Sequence, residues 1–594
     1  MVEAERNQVA RTALAAAFVV VAVVAMWWPL LRHGFYADDF ALIRDNRDLG
    51  IDGFLRFLFF ADLGDRPWLY WRPGWALAFW TMHGVAGVSP GAYHAVSIGL
   101  HSIAALLVFG IAHATTKSRG LAVAAALLFA SSPASVEGVA WVCAAYNGIP
   151  AAIGVFAAAF FAWRHVNSGL LRHGVFCVLG VAASLPWKEA AYSFPLVFVA
   201  AWLVARAPWR RLWPIVPITL VVAFHLLVLA RREGLAGDAV TIARFTVSGL
   251  AGFVRGVAPL PGNDFVVVGT VVALAAIVFV VARPVARFSL LWTAAAMFPY
   301  AVMTHGSRFA YFFVAPLALL VVQLAAQWGE RSRRAALLAF SIVAVLIASN
   351  TLRLRDALAA SAENGAVCSR VLASLHDRGL DREHELVVDN IPTELENGFG
   401  AMLELHTGHP VHVRSMYAVP RPPFFVHWGE QLELPDVDAP LLQWDAAARD
   451  YRVSSVHAVV GALVPIPLYS IATEYELVAD EAAMETALRT PARDVVRRPL
   501  LSRRPALEPD PRATHRILGF RTDPRDIGVD VECSGNVLLT VAAPLPIDLG
   551  ITSGSIVVDG RPAAVLRANL LFHAVALPAG RHSVALQFGA ATAR

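Results

Sequence analysis

Residues 12–31 hold no ionisable side chain, and segments of this kind recur along the chain with the charges confined to the connections between them. About twenty residues of helix rise about 30 Å, the thickness of a bilayer's hydrocarbon, so one such segment predicts a span. Further apolar segments run over residues 92–114, 119–131, 147–163, 174–186, 190–205, 212–230, 265–282, 288–303, 309–328 and 335–350. With the first they predict a polytopic α-helical membrane protein of about 11 spans. A mean hydropathy of +0.56, with 57% hydrophobic and 16% charged residues, excludes an ordinary soluble protein, and 594 residues exceed one domain.

One more segment, 70–87, is apolar enough to cross, and the charges decide against it. With that segment held at the surface, the N-terminal side of the membrane carries Arg6, Arg11, Lys117, Arg119, Arg164, Arg172, Arg206, Arg210, Arg211, Arg283, Arg287, Arg331, Arg333 and Arg334. These fourteen basic residues stand against three acidic ones, Glu3, Glu5 and Glu330. If 70–87 crossed, twelve of the fourteen would move to the outer face, against the positive-inside rule. The segment is therefore expected to be an interfacial or re-entrant helix inside an external loop over 32–91, in keeping with Trp68, Trp71, Trp75 and Trp80. Basic residues placed in short loops report topology and give no reason to expect nucleic acid, at a net charge of only +4. Arg6 and Arg11 ahead of a first span longer than a secretory h-region predict an uncleaved signal-anchor with a cytoplasmic N-terminus, in a bacterial-type inner membrane.

The same topology gathers the polar interruptions on the external side. Asp38 and Asp39 follow the first span in Phe35-Tyr36-Ala37-Asp38-Asp39-Phe40; Arg72, Glu137, Tyr146, Asn147, Lys188, Glu189, Arg231, Arg232, Arg244, Arg255, His305 and Arg308 join them. Ionised groups cost far less at the surface than at the bilayer centre, and those standing between apolar runs usually serve a site. Lys188-Glu189 is the sharpest case, since the chain's lysines are two, Lys117 and Lys188. The bland alternative is a Lys-Glu pair that ends a helix. His94 and His101, seven residues apart on one helical face, read more simply as packing histidines. The four cysteines lack metal-ligand spacing, and Cys368 with Cys533 is the pair to watch if their domain is exported.

These residues carry a resemblance. The first 350 or so resemble the membrane region of the transmembrane tetratricopeptide-repeat O-mannosyltransferase family, within the wider GT-C class of glycosyltransferases that use polyprenyl-phosphate sugars. Tyr36-Ala37-Asp38-Asp39 with Ile43 and Asn46 matches one motif, and Arg72-Pro73 opens the interface helix as in the family. His94 and Leu100-His101 follow, with Ser97 where the family has asparagine. Leu128-Phe129-Ala130, Pro133, Val136-Glu137 and Val139-Ala140-Trp141 match a longer motif. Lys188-Glu189, Ala191 and Pro195 keep the family's spacing, and Arg308-Phe309-Ala310-Tyr311 resembles its Glu-Arg-Tyr-x-Tyr, with Ser307 in place of the glutamate. Ala144-Ala145-Tyr146-Asn147 stands where the family has Gly-Arg-Lys-Asp, so the sugar or acceptor is expected to differ. The resemblance implies a GT-C-like fold, Asp38 as catalytic base, and Asp39 orienting the acceptor or a divalent cation. It implies Arg72, Lys188 and Arg308 at the donor phosphate, supported by Glu137, Glu189, Asn46, Tyr311, His94 and His101.

Residues 1–350 thus form the expected catalytic domain, and no helical repeat of about 34 residues follows it. An odd number of spans puts the remainder outside. Over 351–510 a helix at 351–377, a strand at 385–389 and a helix at 393–405 predict an external α/β region. From 511 on, short strands at 516–520, 529–533, 537–542, 555–558, 571–577 and 582–588, with turns at Asp559-Gly560 and Pro578-Ala579-Gly580, predict a β-sandwich.

The expected chemistry is inverting transfer of a sugar from a polyprenyl-phosphate donor to a protein, lipid or glycan acceptor at the outer face. A base deprotonates the acceptor hydroxyl and cations hold the departing phosphate. No cofactor is required beyond a divalent cation if Asp39 holds one. A multi-span transporter or flippase of a lipid-linked or anionic substrate is the main alternative, weakened by the lack of repeat symmetry between halves. A tethered scaffold for the C-terminal module is the third.

Overall fold

The computed structural model describes residues 2–59, 71–230, 264–303, 307–388, 391–415, 440–445, 447–453, 469–480, 483, 487, 498–523, 526–541, 554–568 and 572–588. Arg231, Arg232, Arg244, Arg255, His305 and Trp68 lie outside the described residues. The chain divides into two units, Met1–Ala366 and Val367–Arg594.

The first unit is helical: α1 (Val2–Trp27), α2 (Asp38–Asn46), α3 (Gly50–Leu58), α4 (Pro73–Ala86), α5 (Pro90–Thr116), α6 (Arg119–Ala130), α7 (Val136–Ala140), α8 (Val142–Ser168), α9 (Leu171–Ser184), α10 (Phe194–Ala205) and α11 (Ile215–Ala230). Helices Asp264–Val281, Pro284–Met303, Tyr311–Gly329 and Arg333–Asp377 follow. Among the described residues, five helices are long and apolar enough to cross a bilayer, and six if the bent pair of α6 with Pro133–Ala140 counts as one span. Leu171–Ser184, Glu189–Ala205 and Val266–Val281 are apolar but shorter. Large apolar side chains such as Leu14, Leu171, Leu220 and Leu337 face outward, as they do where lipid is the solvent. The chain is an integral membrane protein. At 14 residues α4 is about 21 Å long, short of the about 30 Å of a hydrocarbon core.

Helix packing in lipid rests on close approach, because the tails are as apolar as leucine. The facing surfaces are accordingly small: Ala104, Ala105, Ala125, Ala126, Ala151 and Ala158 are all buried. At the α8–α9 contact a Cβ on Gly154 would stand 2.7 Å from the Gly180 carbonyl oxygen, so only glycine lets these backbones meet.

Three breaks interrupt the helices. Pro133 opens a 3-10 turn, Pro133–Ser135, between α6 and α7, which are bent by 53°. Residues 185–188 separate α9 from the 3-10 turn Glu189–Ser193. A third turn, Ser307–Ala310, leads into Tyr311–Gly329. Backbone off the helical path at membrane depth survives where it lines a protein cavity, and it is at these breaks that the charged residues stand.

In the second unit β1 (Glu385–Val388) lies parallel to β2 (His412–Ser415) and β3 (Leu441–Asp445), with β4 (Asp450–Val453) antiparallel at the edge. Helix Phe399–Thr407 connects β1 to β2. Two further sheets follow. The first runs in the order Tyr469–Ala472, Val537–Val541, Phe572–Leu577, Leu566–Ala568, Leu500–Leu501 and Glu476–Leu477, so strands that precede residue 511 belong to it. The second runs in the order Arg561–Pro562, Gly554–Val558, Gly580–Phe588, Asp526–Cys533 and His515–Asp523. Val529, Val531, Val537, Leu539, Ile556, Val575 and Val584 form one core between them. Cys368 and Cys533 are separate buried thiols. The Cys368 Sγ donates to the Glu394 carbonyl, while Cys533 is enclosed in the sheet core, so the pairing raised by export does not form.

Candidate active site

The turn into the first loop is made at Ala37, whose φ of 49° and ψ of −128° lie where only glycine is comfortable. Such strain costs about 1–3 kcal/mol and persists where the surroundings hold it. It sets Asp38 and Asp39 in the first turn of α2, where the helix dipole favours carboxylates. The two carboxylates then meet different atoms of Cys143. Asp39 is fully buried; its Oδ1 accepts the backbone N–H of Cys143 at 2.6 Å and its Oδ2 that of Tyr36 at 3.3 Å. Cys143 is the second residue of α8, whose N-cap Trp141 makes no side-chain cap, so Asp39 supplies that cap from another element. Burial pushes the Asp39 carboxyl well above its ordinary range, against the pull of the two N–H groups. Asp38 is only partly buried, with Oδ2 3.8 Å from the Cys143 Sγ.

The helix breaks carry the cations. On α7, Glu137 accepts the Arg308 backbone N–H and its Nη1–H, both at 2.9 Å. The Arg308 guanidinium lies 5.0 Å from the Trp141 ring centroid and 5.1 Å from that of Phe309. Arg72, immediately before α4, grips Glu189 through Nε at 2.9 Å and Nη2 at 2.6 Å. Lys188 has extended backbone, φ −165° and ψ 157°, so neighbouring side chains point apart. Glu189 therefore goes to Arg72, while the Lys188 Nζ donates to Asn147 Oδ1 at 3.0 Å and sits 4.6 Å from the Phe309 ring centroid. Lys188 is 4% exposed and makes no ion pair among the described residues. Burial first, then the nearby Arg72 and Arg308 charges, bring its ammonium down to about 7. Cys143 lies within electrostatic reach of Asp38, Asp39, Arg308 and Lys188, which places carboxylates and cations around one locale.

The other expected residues serve packing. His101 Nδ1 and the Tyr311 hydroxyl share a hydrogen bond of 2.8 Å, with the Trp27 ring 5.1 Å from the imidazole, tying α1, α5 and Tyr311–Gly329 together. His94 is buried 6.1 Å from the His33 ring, and Asn46 donates to the Leu42 carbonyl of its own helix. Reading the sequence alone missed Cys143, and it named Tyr36, stacked on Trp141 at 5.8 Å, and Phe309 only as motif positions. Asn147, one of the polar interruptions and a departure from the family's aspartate, accepts a hydrogen bond from Lys188.

Gly74 welds α4 to the second break: its N–H donates to the Pro186 carbonyl at 3.0 Å, and a Cβ would stand 2.8 Å from the Trp187 ring. Gly74→Val should destabilise the folded protein by about 1–3 kcal/mol through overpacking. Thermal unfolding in detergent that matched the parent would contradict this tight contact.

The class defined so far is an integral membrane protein with a carboxylate-and-cation site at three helix breaks. No protein-family model matches the chain. Among curated proteins it is similar to Protein O-mannosyl-transferase Tmtc1 of Drosophila melanogaster, 35% identical over 116 residues, which is 18% of this chain and 14% of that protein. The resemblance to that transmembrane mannosyltransferase family is thus found in sequence over a limited region, and the chain spans 14% of the length of the curated relative it matches. Solved structures with some likeness are apo ArnT from Cupriavidus metallidurans, TM-score 0.44 and 16% identity over 73% of this chain and 93% of that one, and ArnT bound to undecaprenyl phosphate, TM-score 0.42 and 13% identity over 73% and 93%. The Archaeoglobus fulgidus oligosaccharyltransferase follows at TM-score 0.38 and 11% identity, over 66% of this chain and 63% of that one.

Proposed function

We propose that the chain is a membrane glycosyltransferase that moves a sugar from a polyprenyl-phosphate donor to an acceptor hydroxyl at the outer face, with inversion at the anomeric carbon. The observation that carries this is Lys188, a buried ammonium whose hydrogen-bond partner is the neutral Asn147, flanked by Arg72 and Arg308. Glu189 is near enough to favour the charged form but is paired with Arg72, and a buried cation with no ion-pair partner of its own costs several kcal/mol, which a phosphate offsets. The name of the partial relative, an O-mannosyl-transferase, supports a hexose as the transferred sugar.

In this reading Asp38 takes the proton of the acceptor hydroxyl as its oxygen bonds to the anomeric carbon. The bond from that carbon to the phosphate oxygen breaks, and the electron pair leaves on polyprenyl phosphate, whose charge Lys188, Arg72 and Arg308 stabilise. Glu137 and Glu189 hold the two guanidiniums in place. Asp39 is a positioning residue, since both its oxygens are taken by backbone N–H groups. The acceptor is a protein, lipid or glycan hydroxyl, and the isoprenoid tail stays in the bilayer.

The decisive experiment incubates the purified protein in lipid with a panel of polyprenyl-phosphate sugars and hydroxyl acceptors and follows polyprenyl phosphate release. Release that depends on an acceptor supports transfer. Movement of intact lipid-linked sugar between leaflets, without release, favours the transporter instead. A one-sided site also makes a prediction about topology. Single cysteines at Phe40 and Asp450 should be labelled from outside and one at Arg210 from the cytoplasm; cytoplasmic labelling of position 450 would overturn the eleven-span arrangement and the external site together.

A further inference from the structure

The second unit brings two imidazoles and a carboxylate together. His376 lies in the last turn of Arg333–Asp377 and His406 in the last turn of Phe399–Thr407, so two helix C-termini, each partially negative, bring these side chains face to edge. Their ring centroids are 5.7 Å apart at 83°. Asp381 sits between with its side chain 3% exposed, and its Oδ2 is 2.7 Å from the His376 Nδ1. One ligating atom from each of the three lies within 4.8 Å of the others.

We infer that His376, Asp381 and His406 form a binding site for a borderline divalent metal ion of the zinc type. Tetrahedral zinc has bonds of about 2.0–2.2 Å and so sets its ligands about 3.4 Å apart. The present spacing brackets that value, and the solvent-facing imidazoles close it by rotation about their own side-chain bonds. Two nitrogens and one oxygen suit zinc, cobalt or nickel better than magnesium or calcium, which prefer oxygen. A buried carboxylate against a histidine is the pairing that an ordinary ion pair also makes; the second imidazole and the two helix C-termini are what a cation adds to it. With His376 half in solvent, water completes the fourth position. Such an ion ties the end of the long helix to Phe399–Thr407 and so braces the parallel sheet that begins with β1.

The test uses the full-length protein in detergent, stripped with a chelator and titrated with Zn2+ against a competing chelator, with bound zinc counted by elemental analysis. The parent should hold about one zinc per chain tightly. His406→Ala, at an exposed position that folding tolerates, should weaken binding by at least about a hundredfold, since loss of even a residue supporting a ligand costs about 10–100-fold. Asp381→Asn should do the same while keeping side-chain size. His412→Ala on β2 and Asp38→Asn at the membrane site should leave binding unchanged. Parent protein that binds no zinc, or His406→Ala that binds it as well as the parent, would overturn the assignment in favour of a simple His376–Asp381 ion pair.

Discussion

Asp38→Asn should lower turnover by about a hundred- to ten-thousand-fold, the usual worth of a general base, while leaving the fold and donor binding as they are. Asparagine keeps the size and most of the hydrogen bonding of the aspartate but cannot take the acceptor's proton. Asp38 is partly exposed beside the Cys143 Sγ, whereas Asp39 is fully buried and held by two backbone N–H groups. Asp39→Asn provides the contrast. It places an amide where two backbone N–H groups donate, so its damage should show first in stability and only secondarily in rate. Donor binding by equilibrium titration and turnover by polyprenyl phosphate release separate the two outcomes. Near-parental turnover by folded Asp38→Asn would strip that residue of its role and pass the base to another carboxylate, with Glu137 the next to examine.

Lys188→Met should weaken donor binding by about tenfold to a hundredfold, the range given by a charge-assisted hydrogen bond of about 1.5–3 kcal/mol. The sign of the pH effect follows from the surroundings of the ammonium. In the free protein burial and two neighbouring guanidiniums bring Lys188 down to about 7. A bound phosphate favours the charged form and raises that value, so above pH 7 binding must take up a proton. Affinity in the parent is therefore highest below pH 7 and falls as pH rises, by at most about tenfold per unit, until the value in the complex is passed. The methionine variant should bind weakly with that slope gone. An identical slope in both proteins would assign the titration elsewhere and return Lys188 to a purely structural part.

Much of the site's membership was legible in the sequence, because ionisable residues between apolar runs stand out against hydrocarbon. Arg72, Glu137, Lys188, Glu189 and Arg308 were all visible on that ground alone. Their pairing was not. Lys188 and Glu189 look like partners when read along the chain, yet extended backbone turns them apart, and Glu189 joins a guanidinium 117 residues away. Glu137 and Arg308 meet across 171 residues, a contact no local pattern announces. Nor could periodicity reveal that the adjacent aspartates meet different atoms of Cys143, Asp39 its N–H and Asp38 its Sγ, since that depends on the strained turn at Ala37 and on where α8 begins. His101 and Tyr311, read as members of one motif set, turn out to bond each other within the helix packing.

The cap that Asp39 places on α8 bears on how the chain comes to be assembled. A polypeptide is made from its N-terminus, and Asp39 is synthesised 104 residues before the Cys143 amide it serves. Through that interval the Asp39 Oδ1 lacks this partner, although α4, against which α2 packs, is already made. Once α8 is made its open first turn receives Asp39, and Lys188 and Arg308 are synthesised later still. A nascent chain stalled before α8 would thus carry every residue of the first loop and still lack the Cys143 amide, Lys188 and Arg308, so the cluster is complete only once α8 and the helices beyond it are made.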